Sequence, residues 1–247
     1  MLFNSYAFLL VFLPAAILIC FAVDNQPALR RPVLIALSLA FYSYWDIRFL
    51  PQMLLSIGVN WYLAGLYAAT KRSALVTLGI VANLLVLGIF KYTNFFADNF
   101  AAIGIPVGHF DIALPLGISF FTFQQLSYLV DLRRRETPLY GIRDYALYVS
   151  FFPQLIAGPI VHYAEIVPQL KGRLFGNLIW RNLLVGLAIF AIGLFKKTVI
   201  ADTLASYANP LFDQIAPGSS FTLTSGWIAA ICFTLQLYFD FSGYSDM

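Results

Sequence analysis

Charge is what this sequence lacks. Only 11% of its 247 residues are Asp, Glu, Lys or Arg, against about 25% in a typical soluble domain. A chain this poor in charge cannot present a hydrated surface to water on all sides, which excludes an ordinary soluble globular protein. Short segments alternating between polar and apolar residues are missing too, and with them the signature of a membrane β-barrel. Cysteine is nearly absent. Cys20 and Cys232 lie far apart, each inside an apolar run, so they read as packing residues rather than a disulfide or a metal site. Histidine is equally scarce. His109 reads as a solvated loop residue, and His162, directly after the stretch LIAGPIV, as an interfacial residue or one at a cavity mouth. No basic residue precedes the first apolar run, and Ile19 is too large to precede a lipidated Cys20, so that run reads as a retained membrane helix. There is no HExxH, CxxC, phosphate loop, dinucleotide fingerprint or GxSxG elbow. The net charge of +3 is too small to indicate a nucleic-acid partner, and no metal or bound cofactor is indicated.

What is present is apolar. Hydrophobic residues make up 60% of the chain, and the mean hydropathy is +0.79. The runs are long and continuous, so the reading is an all-α polytopic membrane protein with seven to eight hydrophobic segments in a single membrane domain. The candidate segments are Ser5–Val23, Val33–Trp45 with an extension to Leu50, Pro51–Thr70, Ala74–Phe90, Leu114–Leu132, Tyr145–Val161, Asn182–Ile200 and Thr224–Phe241. Lys91–Ala113 reads as a polar, Gly- and Pro-bearing loop. With the N-terminus outside, the inner loops hold Arg30, Arg31, Lys71, Arg72, Arg133, Arg134, Arg135 and Arg143, and the outer loops only Arg48 and Lys91. That asymmetry favours the N-outside orientation. Tyr145–Val161 is interrupted by Pro153 and by Gly158-Pro159, which break the hydrogen-bond ladder. It is either re-entrant or a span with a proline kink.

Polar residues inside apolar runs are costly, so they face protein or water. In Leu114–Arg135, Gln124, Tyr128 and Asp131 are four and three residues apart and share a helix face. They read as a cavity wall or, weighing more, as hydrogen-bonding glue between helices from Gln124 and Tyr128 with Asp131 pairing an arginine at the interface. In GLFKKTVIAD, Lys196 and Lys197 read as snorkelling lysines at a helix end or as a basic patch for an anionic group, such as a phosphate of a nucleotide-type acyl donor; snorkelling weighs more. In YFDFSGYSDM, Asp240 and Tyr244 share one face, and Ser242 and Asp246 share a roughly opposite one. The two carboxylates therefore form no acid/base pair on one stripe. They cap a helix end or give a reaction chamber a polar lining. From the residues alone, a transporter or channel built on broken helices and a non-catalytic membrane subunit that docks a partner stay open.

Several stretches in collinear order narrow this: MLFNSYAFLLVFLP, FKYTNFF, LPLGISFFTFQQLSYLVDLRR, FFPQLIAGPIVHYAEIVPQL, GLFKKTVIADTLA and QLYFDFSGYSDM. Together they resemble the membrane-bound O-acyltransferase family, in the branch of bacterial alginate O-acetylation proteins. The resemblance implies a helical crescent around a polar tunnel in the bacterial cytoplasmic (inner) membrane. It implies an acyl donor such as acetyl-CoA or another acyl thioester, an exported or cell-envelope polysaccharide acceptor, and periplasmic or extracellular acetylation partner proteins. Gln124, Tyr128, Pro153, Gly158, Pro159, His162, Lys196, Lys197, Asp240, Ser242, Tyr244 and Asp246 are then candidates to line or support the tunnel. The family's essential histidine lies in a later tryptophan–histidine motif, in chains about twice this length. As general base it would take the acceptor's proton while the hydroxyl attacks the thioester. Neither His109 nor His162 matches it, so no catalytic residue is assigned. The 247 residues are expected to be an N-terminal half, inactive alone.

Overall fold

A computed structural model describes residues 2–105, 108, 110–156, 158, 163, 166, 169, 179–213 and 222–247. Every regular element among them is helical, as composition requires. They group into two compact units. The larger is Ala16–Leu174; the smaller joins Met1–Ala15 to Phe175–Met247.

A π turn, Phe8–Phe12, leads into α1 (Leu13–Val23), and the division between the units falls within that helix. The larger unit continues with α2 (Pro27–Ser43), α3 (Leu50–Thr70), α4 (Ser73–Ala102), α5 (Ile118–Arg134), α6 (Ile142–Ser150) and the single turn α7 (Phe152–Leu155). A 3₁₀ turn, Ile47–Phe49, opens α3. Asp46 caps it, accepting from the Arg48 backbone N–H at 2.9 Å and from its guanidinium. Those hydrogen bonds hold the Asp46 carboxyl below its usual range. The smaller unit holds α8 (Ile179–Phe195), a π turn at Lys196–Ala201, α9 (Asp202–Asp213) and α10 (Leu223–Asp246).

By length and apolarity, three helical stretches among the described residues suffice to cross a bilayer: Ile47–Thr70, Ser73–Ala102 and Trp180–Asp213. Phe8–Val23 is apolar but shorter. Element ends differ from the sequence reading at four places. Much of the expected loop after Phe90 is helix, because α4 runs to Ala102 and stops only where Gly104 takes φ +88°. Between Phe90 and Ala102 no Gly or Pro interrupts the chain, and Phe96 and Phe100 keep a four-residue helical spacing. The segment expected from Leu114 starts as helix at Ile118, after Gly117 with φ +69°, where a Cβ would meet the Leu155 carbonyl oxygen at 2.5 Å. The helical stretch expected to end at Ile200 runs on to Asp213, so Lys196 and Lys197 lie mid-length rather than at a helix end. The break expected at Pro153 falls at Phe151 (φ −54°, ψ 109°), and Pro153 sits in the first turn of α7. There its missing N–H costs nothing.

The larger unit combines an apolar core around Met53, Leu129 and Tyr148 with buried polar groups and an apolar surface. Leu78, Val81, Leu85 and Ile89 of α4 are exposed, while Ser38, Asn60, Asn83, Gln124, Gln125 and Ser150 are buried. The buried groups bridge helices. Asn60 and Asn83 exchange amide hydrogen bonds at 3.2 and 2.6 Å, tying α3 to α4, and each also donates to a carbonyl one turn back. The Trp61 indole donates to the Tyr140 carbonyl at 2.9 Å. At the break, the Phe152 N–H donates to Ser38 Oγ of α2 at 3.2 Å. Broken backbone is thus held inside protein, as hydrocarbon demands. With nine residues, or about 13 Å at 1.5 Å per residue, α6 is too short to span. Whether the chain from Tyr145 to Val161 is re-entrant depends on residues outside those described.

The asparagine pair yields a test. Asn60→Leu leaves the Asn83 amide in an apolar setting and is expected to cost about 1–2 kcal/mol. The double variant Asn60→Leu/Asn83→Leu removes both partners and should recover most of that loss. Unfolding midpoints in mixed micelles check the ordering.

Candidate functional site

The sequence candidates fall into two groups, one in each unit. In the smaller unit, α8 and α10 approach through glycine. A Cβ on Gly193 would lie 2.6 Å from the Gly243 carbonyl oxygen, and one on Gly243 would lie 2.7 Å from that of Gly193. Only a residue without a side chain allows this contact. Directly after Gly193 the helix widens into the π turn at Lys196–Ala201, a distortion often found at functional sites. The two lysines that open it face α10.

Lys196 Nζ donates to Asp246 Oδ2 at 2.6 Å and to Ser242 Oγ at 3.1 Å. Lys197 Nζ pairs with Asp240 Oδ1 and with Asp202 Oδ1, each at 2.8 Å. Helix geometry explains the division of labour. Adjacent residues diverge by about 100° around an α-helix, and residues six apart by about 120°. Two neighbouring lysines therefore meet two carboxylates on different stripes of α10. Ser242 and Asp246 share the stripe read from sequence, and both bond the same ammonium. Asp240 sits with the other lysine. Tyr244 stacks on Phe3 with ring centroids 4.8 Å apart. Three carboxylates face two ammonium groups, so each lysine is already neutralised, and a phosphate would have to displace an aspartate to reach either. The five ionic side chains are 27–49% exposed.

In the larger unit the candidates form a neutral core. Gln124 and Tyr128 of α5 are buried. Tyr128 Oη accepts from the Tyr140 N–H at 3.3 Å, and its ring packs on Tyr145 and Tyr163 at 4.8 and 5.8 Å. Tyr148 Oη donates to the Gln124 carbonyl at 3.5 Å, while Gln124 Oε1 is buried without a partner among the described residues. Asp131, on the same face, accepts from Ser127 Oγ at 3.5 Å. Pro153 and Gly158 lie at the break beneath this core, and the Gly158 N–H donates to the Gln154 carbonyl at 3.1 Å. Pro159 and His162 lie outside the described residues, as does His109.

Sequence reasoning missed Gln125, Tyr145, Tyr148, Ser56 and the asparagine pair. Gln125 donates to Ser56 Oγ at 3.0 Å and accepts from Tyr145 Oη at 3.3 Å. Tyr145 and Tyr148, three apart on α6, carried a readable same-face signal; the Ser56–Gln125 contact, 69 residues apart, carried none. Hydroxyls and amides of this kind can hold an acceptor hydroxyl or a carbonyl in place. They supply no strong base.

Comparison with known proteins identifies the family. The family model described as MBOAT, membrane-bound O-acyltransferase family, matches residues 66–247. A peptidoglycan O-acetyltransferase from Helicobacter pylori is 40% identical over all of this chain and 53% of its own length. A probable alginate O-acetylase from Azotobacter vinelandii is 38% identical over all of this chain and 50% of its own. The corresponding protein of Pseudomonas aeruginosa is 37% identical over all of this chain and 48% of its own. The chain spans about half the length of the curated relatives it matches.

The ion pairs give a reversible test. Lys196→Met strands Asp246, and Asp246→Lys sets like charges together. Each is expected to lower the folded, monodisperse yield severalfold. The swap Lys196→Asp/Asp246→Lys restores opposite charges and should recover it, as read by fluorescence-detected size exclusion of a tagged protein.

Proposed function

The chain belongs to the membrane-bound O-acyltransferase family, and from that premise we propose that the protein transfers an acetyl group to hydroxyls of an exported or cell-envelope polysaccharide. One observation carries the reading: the chain aligns along its whole length with relatives named for O-acetylation of two different glycans. The donor is a cytoplasmic thioester such as acetyl-CoA. The acceptor hydroxyl attacks the thioester carbonyl, a C–O bond forms, the C–S bond breaks, and the hydroxyl proton goes to a general base. No described side chain is assigned as that base. Gln124, Tyr128 and the Lys196–Asp246 group act by positioning, with periplasmic or extracellular partner proteins carrying the acceptor.

The protein sits in the cytoplasmic membrane with its N-terminus outside. Charge placement in the larger unit supports this orientation. Arg31 pairs with Asp144 at 3.2 Å, and Tyr67, near Lys71 and Arg72, donates to the Arg133 carbonyl at 3.5 Å. These contacts join basic helix ends on one side. Arg48 lines a separate depression with Phe90 and Asp111.

Two measurements test the reading. Deleting the gene is expected to remove base-labile acetate from one envelope or exported glycan, with restoration on complementation; unchanged acetate in every glycan would refute it. Lys91→Cys should react with a membrane-impermeant maleimide in intact cells and Arg72→Cys should not. The reverse pattern inverts the orientation.

A further inference from the structure

A cleft of about 160 Å³ opens between α3, α4 and α5 of the larger unit. Its mouth is apolar and already turned outward: Leu55, Val59 and Val86 line it and are 68, 44 and 44% exposed. These residues lie on two helices long and apolar enough to span the bilayer. The mouth is therefore continuous with the lipid-facing surface. The floor is different. It carries Gln52, Ser56, Asn60, Asn83 and Thr122, with Asn60, Asn83 and Thr122 no more than 7% exposed. Among the described residues, no charged side chain lines the cleft.

The floor's hydrogen-bond account selects a ligand. Asn60 and Asn83 satisfy each other. Ser56 Oγ accepts from Gln125 Nε2, so its own proton is free to be donated into the cleft. Gln52 and Thr122 have no protein hydrogen-bond partner among the described residues. The site thus offers neutral donors and suits an uncharged acceptor. Depth agrees. Gln52 lies about 3 Å and Ser56 about 9 Å along α3 from Leu50 at 1.5 Å per residue, so the floor runs from the edge of a hydrocarbon core about 30 Å thick into its outer half. A bilayer lipid changes there from ester to acyl chain. A cavity this size admits a benzene-sized group. It holds an ester and its first methylenes while the rest of the chain trails out of the open mouth.

We propose that this cleft is a binding site for the ester-bearing segment of a membrane diacyl phospholipid, with Ser56 and Gln52 donating to the ester carbonyl. The bound lipid also touches the protein's interior. Tyr145 Oη donates to Gln125 Oε1 and Gln125 Nε2 to Ser56 Oγ, so occupancy is connected to the polar core around Tyr128.

The test uses the full protein in vesicles of phosphatidylethanolamine carrying a photoreactive diazirine near the acyl ester, with adducts mapped by mass spectrometry. Labelling is expected to concentrate on Val59 and Val86 and to spare Leu84, which is on the opposite side of α4 and 46% exposed against 44% for Val86. Ala82→Phe, which fills the cleft, should abolish the adducts on Val59 and Val86 and leave that on other lipid-facing residues unchanged. Even labelling of Val86 and Leu84 overturns the proposal. So does labelling that survives Ala82→Phe, and so does the absence of cleft adducts because another part of the protein covers it.

Discussion

Hydrocarbon offers no hydrogen bonds, so every polar group carried into it must find its partner within the protein. The larger unit is organised around that constraint. It exposes many apolar side chains, while amides and hydroxyls are buried beside its apolar core, several of them bonded across helix contacts. The Asn60–Asn83 pair is the clearest case, since each amide gives one hydrogen bond across the contact and one to its own helix. The break at Phe151 obeys the same rule. A freed N–H at that depth would be destabilising, and Ser38 of α2 accepts its neighbour's proton. The segment can therefore break at Phe151 with the next N–H still bonded.

The smaller unit meets the constraint with charge. Gly193 and Gly243 bring two backbones into contact, and the π turn that follows sets two ammonium groups against the carboxylates of α10. Unpaired, each such charge would cost about 2.5–3.5 kcal/mol at the centre of a span on insertion scales. Pairing offsets much of this and fixes the register of α8 against α10. Glycine supplies the distance and the ion pairs supply the alignment, so neither feature works without the other.

These two solutions suit different tasks. A neutral core of amides and tyrosines orients hydroxyls and carbonyls without carrying a proton away. A charged cluster holds helices in register and resists foreign anions, because its lysines are already bonded. The family's chemistry needs a third element, a base that accepts the acceptor's proton, and neither group provides one. On the reading proposed above, these helices contribute shape and polarity to acyl transfer.

The sequence by itself determined that the protein is helical and membranous, while of the eight expected segments the described residues contain three helical stretches long and apolar enough to span. A helix satisfies its backbone within its own segment, so local composition suffices. It also placed Gln124 with Tyr128, and Ser242 with Asp246, on shared faces, because the 3.6-residue period is local. Collinear motifs carried the family. Tertiary structure decided the rest. The length of α4 depended on where Gly104 turns, not on where hydropathy fades. Lys196 and Lys197 read as a helix end until the helix was seen to continue to Asp213. Their partners on α10 lie 43 to 50 residues away, and Ser56 lies 69 from Gln125. Pairings at that separation depend on how helices cross, and a crossing is set by packing between segments, which no single stretch of sequence contains.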